Sequence, residues 1–407
     1  MSAGAPPRPD GIGTLARIAL AMQLAVIPLY GTLVVLDAER PPIPPLVPRA
    51  GAIAIGLLML AALAAALPAA RRVVRWDWFT FAYLGGGLAT ILAAIPGFDP
   101  PIGIGLGVLV SGIGAAGLVL ARSADAATVR LCVRSFLWSA LLASLLALAM
   151  VLAHRPAAIY AYDNGRAVGT FLNPNELAAF TLMGLGVAVP LAVATRGRDR
   201  LAVVTAAVLA VTLGATFSRW GLLSAVVGIA VYALAARARV LLVAALAVAV
   251  AGIALDAAGG ARHHNSRDTE ARTVAWRTGL TTIERFPLLG VGPLAFPKTY
   301  DVLRPPDAPG TQTAVAFDPH SLPIAFAAGG GMVAVVTLAA GLTIILRRVL
   351  RDARGAPAVP RALGFALAAA ALALLFDSGI NTISLIFPLI LQVATLGIAV
   401  VRTDALS

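Results

Sequence analysis

Five residues have the types and places to do chemistry together: Arg166, Arg219, Arg272, His320 and Asp377. An arginine grips a phosphate group with two parallel hydrogen bonds. A histidine exchanges a proton near neutral pH. An aspartate orients such a histidine or pairs with an arginine. Arginines around an anionic donor, with a histidine to deprotonate an incoming hydroxyl, describe group transfer from a lipid diphosphate. The arginines would stabilise the charge that develops on the leaving diphosphate.

Each residue also has a plainer reading. Arg272 precedes Trp276 by four residues, on a face shared with Leu280 and Ile283. There its stem packs and its head reaches water, or it is aimed into a site. Arg219, in Ser218-Arg219-Trp220, is an interfacial anchor or a phosphate ligand. Arg166 opens a stretch that leads to Asn173-Pro174-Asn175-Glu176, a turn signal and helix start in which capping accounts for both asparagines. His320, in Asp318-Pro319-His320-Ser321, stands at the mouth of a helix, where a lone histidine is commonly structural. Asp377, in Asp377-Ser378-Gly379-Ile380-Asn381, also reads as a turn cap. His263-His264 reads as solvated loop, because adjacent histidines do not share a helix face and nothing completes a ligand set. With no P-loop, DxD or GxSxG motif, neither a metal nor a nucleotide is expected.

The elements that must position these residues follow from composition. The chain has 407 residues, 59% hydrophobic and 12% charged, and a mean hydropathy of +0.90. A soluble domain is about 45–50% apolar and about 25% charged. The balance excludes a soluble enzyme, a disordered chain and a fibrous one, and leaves an all-α polytopic membrane protein. A spanning helix needs about 20 apolar residues, and long apolar runs predict about twelve transmembrane helices. They fall at 14–36, 50–68, 78–95, 102–121, 131–153, 175–195, 201–217, 221–236, 240–255, 321–346, 362–379 and 383–401. The first run reads as a retained helix rather than a cleaved signal. The single cysteine, Cys132, allows no intramolecular disulfide.

Arginine sets the orientation. With both termini in the cytoplasm, the inner segments carry a net +13 and the outer ones −1, out of a total of +12. The basicity is then a positive-inside bias and not a nucleic-acid-binding surface. One stretch tests the helix count. As one helix, residues 201–236 would be about 54 Å long, far beyond a hydrocarbon core of about 30 Å. Two shorter helices with a tight outer turn at Ser218-Arg219 remove the excess.

Three regions result: helices one to nine in 1–256, a large outer loop at 257–320 with helical segments, and helices ten to twelve in 321–407. The loop contains Trp276, Phe286, Phe296, Tyr300 and Phe317, which argues for order, and 269–285 reads as a helix within it. Gly103-Ile104-Gly105-Leu106-Gly107 and Gly112-Ile113-Gly114 suit close helix packing. Gly329-Gly330-Gly331 is expected to loosen the tenth helix.

The chain resembles the bacterial O-antigen ligases, whose superfamily also holds O-antigen polymerases and some protein glycosyltransferases. The resemblance rests on Gly165–Glu176, Thr216-Phe217-Ser218-Arg219-Trp220-Gly221, Arg272-Thr273-Val274-Ala275-Trp276 and Pro287-Leu288-Leu289-Gly290-Val291-Gly292. His320-Ser321 ahead of the glycine triplet completes it. It implies a GT-C-like glycosyltransferase of the bacterial inner membrane, with its site facing the periplasm. The implied donor is polysaccharide on undecaprenyl diphosphate, and the acceptor is a sugar hydroxyl of lipid A–core. Transfer would invert the anomeric carbon without a metal. By resemblance His320 is the general base, Arg219 and Arg272 bind the diphosphate, and Arg166 and Asp377 support them, Arg166 as a further diphosphate ligand. Family members often carry Asn where this chain has Ser321. The competing readings are a polymerase, a protein O-glycosyltransferase and, from a different class, a secondary transporter. No internal repeat of the kind transporters show is present.

Overall fold

The computed structural model describes residues 13–29, 61, 77–157, 165–171, 173–235, 250, 254, 266–306, 319, 321–354, 393, 395–400 and 403. Among these residues the protein is all helical. The main helices are α1 (Thr14–Val26), α2 (Trp78–Ala94), α3 (Pro100–Ser123), α4 (Ala126–Ala153) and α5 (Pro174–Ala194). They continue as α6 (Arg200–Ala215), α7 (Arg219–Ala235), α8 (Ser266–Arg285), α9 (Phe296–Leu303) and α10 (Leu322–Arg354). Among the described residues, four stretches are long and apolar enough to cross a membrane: Pro100–Ser123, Ala126–Ala153, Pro174–Ala194 and Pro323–Ile345. Shorter apolar helices are Thr14–Val26, Trp78–Ala94 and Arg200–Ala215. The expected spans 50–68, 240–255, 362–379 and 383–401 lie wholly or mostly outside the described residues.

Small residues let the helices approach. The main core joins α1, α3, α4, α5 and α6 around Leu24, Leu120, Phe136, Phe180 and Leu209, with Ala140, Ala143 and Ala147 between them. Apolar burial gives little drive in lipid, so close packing of small side chains becomes the main attraction. The α2–α3 pair shows it. A Cβ on Gly87 would stand 2.8 Å from the Gly107 carbonyl, and one on Gly107 would stand 3.0 Å from the Gly87 carbonyl. Gly105 faces open space, so only part of the expected glycine stripe is contact. Exposed Leu92, Leu142, Val204 and Val211 stand where lipid tails would lie.

One end of the bundle is a layer of arginine–aspartate pairs. Asp77, Asp125 and Asp199 each stand just before a helix and accept a backbone N–H of its first turn. Each carboxylate also pairs with an arginine of another helix or its end: Asp77 with Arg122, Asp125 with Arg17 and Asp199 with Arg134, at 2.6–2.7 Å. Arg122 and Arg348 both lie over the Phe79 ring, at 5.2 and 5.7 Å. The starts of α1, α2, α4 and α6 therefore share one end with the finish of α3 and the last turns of α10.

Candidate active site

The opposite end carries Arg166, Arg219 and Arg272, the described ones among the residues singled out for chemistry. α6 stops at Ala215, Phe217 turns left-handed with φ of 47°, and α7 starts at Arg219. The long apolar run is thus two helices with a tight turn, as its length requires. A non-glycine residue held there costs about 1–3 kcal/mol, so the surroundings must fix it. Ser218 caps α7: its Oγ accepts the Gly221 N–H at 3.1 Å and its carbonyl accepts the Leu222 N–H at 2.9 Å. Thr216 Oγ1 accepts the Ser218 N–H at 3.2 Å. Arg219 follows directly and is exposed.

Arg166 is nearly buried, at 9% exposure. Its Nε donates to the Thr216 carbonyl at 2.8 Å, and one Nη donates to Asn175 Oδ1 at 3.3 Å. The same Oδ1 accepts Ser218 Oγ–H at 2.8 Å. Beside this, Ala167 N–H donates to the Ala215 carbonyl at 2.9 Å. The loop before α5, the first turn of α5 and the α6–α7 turn are thereby joined. Of the two asparagines expected to cap, one does: Asn173 Oδ1 accepts the Asn175 and Glu176 N–H groups. Asn175 instead bridges Arg166 and Ser218. Sequence reading missed Asn175 and Ser218 as site builders; their presence in the quoted motifs was the available signal.

Arg272 belongs to α8, and here the expected face needs correction. Trp276 and Leu280 are 41% and 51% exposed. The buried face is Val274, Ala275, Thr278 and Thr282, with Gly279. It packs against α9 and α10, with Phe296, Tyr300 and Ala328 in the cluster and Ile283 at its edge. Helix contact selected the small residues, and the large ones were left outward. A Cβ on Gly279 would overlap Ile324 and stand 3.3 Å from Pro319 Cβ. Gly279 lies two turns after Arg272, on its side of α8. α8 therefore runs against the base of α10, beside Pro319. Arg272 is half-buried. His320 and Asp377 lie outside the described residues, as do His263 and His264; Pro319 and Ser321 are described.

The glycine triplet breaks α10. Gly331 has φ of 60° and ψ of −161°, and the Pro287–Gly292 loop fills the break. Val291 and Gly292 donate to the Ala328 and Gly329 carbonyls at 2.9 and 3.0 Å. Met332 and Val333 donate to the Pro287 and Leu288 carbonyls at 2.8 and 3.3 Å. Non-helical backbone in a span is tolerated when protein satisfies it, and here a second chain segment does so. The α2–α3 turn holds the other side of the loop. Phe98 donates to the Val291 carbonyl at 2.8 Å, Phe98 and Phe286 meet edge to face, and Lys298 pairs with Asp99 at 2.6 Å.

These features define an integral membrane protein with an arginine-bearing polar site at one end of a helical bundle. Residues 201–339 match the model of the family described as O-antigen ligase. The matched stretch runs from α6 through the turn and α8 into α10, and so includes Arg219, Arg272 and His320; Arg166 and Asp377 fall outside it. The match supports the O-antigen ligase family and its wider ligase and polymerase superfamily, and implies a glycosyltransferase-like enzyme of O-antigen processing. That family implies in general a polysaccharide-bearing lipid donor and a lipid acceptor. No curated protein matches the chain.

Proposed function

We propose that this protein is an O-antigen ligase. It moves polysaccharide from undecaprenyl diphosphate to a sugar hydroxyl of lipid A–core, at the periplasmic face of the bacterial inner membrane. The observation that carries the reading is the family match over 201–339, which spans the exposed Arg219 at its turn, Arg272 on the helix beside Pro319, and His320 in sequence. The orientation is read from the arginine–aspartate layer. Basic residues favour the cytoplasmic side, so the opposite end faces the periplasm and both termini lie in the cytoplasm. Residues 257–320 then form the large periplasmic loop, between helices one to nine and ten to twelve.

His320 takes the proton of the acceptor hydroxyl as its oxygen attacks the anomeric carbon. The bond from that carbon to the diphosphate oxygen breaks, and the electron pair leaves with the diphosphate. Arg219 and Arg272 stabilise the growing charge, so no metal is required. Attack opposite the leaving group inverts the centre. Asp377 supports the site by orienting a neighbour. The test is His320→Ala in purified protein. Transfer should be abolished while insertion and undecaprenyl diphosphate binding persist; normal transfer would sink the general-base role.

A further inference from the structure

We propose that Arg166 is a positioning residue: through Thr216 and Asn175 it fixes the turn from which Arg219 departs. The inference rests on the reading of Arg219 as a diphosphate ligand. Arg166 is 9% exposed, and its Nε and one Nη bond to protein acceptors. One acceptor is the Thr216 carbonyl at the finish of α6, where a helix leaves carbonyls without intrahelical partners and favours a cation. The other, Asn175 Oδ1, is shared with Ser218 Oγ, and Ser218 Oγ in turn holds the Gly221 N–H. A single chain of bonds therefore runs from Arg166 to the cap of α7. Arg219 is the next residue after that cap. Thr216 and Ser218 are fully buried, whereas Arg219 is exposed. The planar guanidinium fork reaches two acceptors on two elements at once, which a lysine ammonium does with much less geometric control. Arg166 thus sets where Arg219 stands without itself touching the donor.

A double-mutant cycle tests this. Undecaprenyl diphosphate affinity is measured on the purified full-length protein in lipid nanodiscs. The variants are Arg219→Ala, Arg166→Ala and Ser218→Ala, each alone, with the last two also combined with Arg219→Ala. Arg219→Ala should weaken binding about tenfold or more, and Arg166→Ala and Ser218→Ala should each weaken it about three- to tenfold when Arg219 is present. In the Arg219→Ala background neither should add more than about twofold. Full additivity would mean that Arg166 meets the ligand itself or acts globally, and would overturn the proposal. No effect of Arg166→Ala or Ser218→Ala on binding would overturn it as well. Should Arg166→Ala fail to insert, Ser218→Ala decides, since it removes one oxygen and no charge. Unchanged affinity in Arg219→Ala would overturn the reading of Arg219 and the positioning role together, a result distinct from additivity.

Discussion

Leu288 and Gly331 meet backbone to backbone at the break in α10: a Cβ on Gly331 would overlap the Leu288 carbonyl. The Leu288 carbonyl in turn accepts the Val333 N–H at 3.3 Å. Two stretches far apart in sequence thus complete one another. The first carries the loop onward from α8, and the second lies in α10, which starts just after Ser321. α8 and the base of α10 are clamped by one joint, so the placing of Arg272 against Pro319 and Ile324 depends on that contact.

Gly331→Ala should destabilise the protein and lower transfer. A Cβ on backbone of this positive-φ, extended-ψ kind, which is essentially reserved for glycine, costs about 1–3 kcal/mol, and a loop forced out of the break would strand polar groups that each cost about 1–3 kcal/mol when buried. Gly86→Ala is the control, because a Cβ there meets nothing within 4 Å. It should leave melting unchanged or raise it slightly. Thermal melting in detergent compares the two; equal behaviour would contradict the joint.

Arg272→Ala should lower kcat for transfer about 100-fold, the effect of losing one preorganised charge-stabilising group. Gly279→Leu should lower transfer too, by pushing α8 off Ile324 and Pro319, with Arg272 still present. Steady-state transfer kinetics read both. An unimpaired Arg272→Ala enzyme would remove it from the site.

The aspartate layer makes stability depend on pH. Burial pushes the Asp77, Asp125 and Asp199 carboxyls up, but helix-cap bonds and the paired arginines outweigh it and hold each below its ordinary value. A depressed folded-state value stabilises the fold above the unfolded value of about 3.9 and loses that contribution as pH falls through the folded one. Melting temperature should be flat in this respect above pH ~5 and decline below pH ~4. Asp199→Ala should cost about 1 kcal/mol through loss of the cap and weaken the acid dependence. Acid dependence unchanged in an Asp77, Asp125 and Asp199 triple Asn variant would place its origin elsewhere.

Transfer should proceed fully in excess EDTA, because the proposed mechanism assigns the charge of the leaving diphosphate to arginines. Loss of activity that Mg²⁺ or Mn²⁺ restores would overturn the metal-free mechanism.

Much of this arrangement was legible in the sequence because lipid imposes simple rules. Helix positions follow from apolar runs, and the α6–α7 turn follows from the mismatch between 36 residues and one membrane thickness. The packing face of α8 was not legible. Trp276 and Leu280 carry the apolar periodicity, yet Ala275, Thr278 and Gly279 make the contact, because α8 comes so close to Ile324 and Pro319 that only small residues fit. The bonds of Arg166 were not legible, since its partners Thr216 and Asn175 come from separate elements. The partner of the glycine triplet was hidden for the same reason: backbone bonds between Pro287–Gly292 and α10 leave no trace in side-chain pattern.

The most direct measurement is transfer by the purified protein supplied with undecaprenyl-diphosphate-linked glycan and lipid A–core, reading which lipid carries the glycan afterwards. We expect glycan on lipid A–core. Longer glycan still on undecaprenyl diphosphate would contradict the ligase reading and assign the same chemistry to a polymerase.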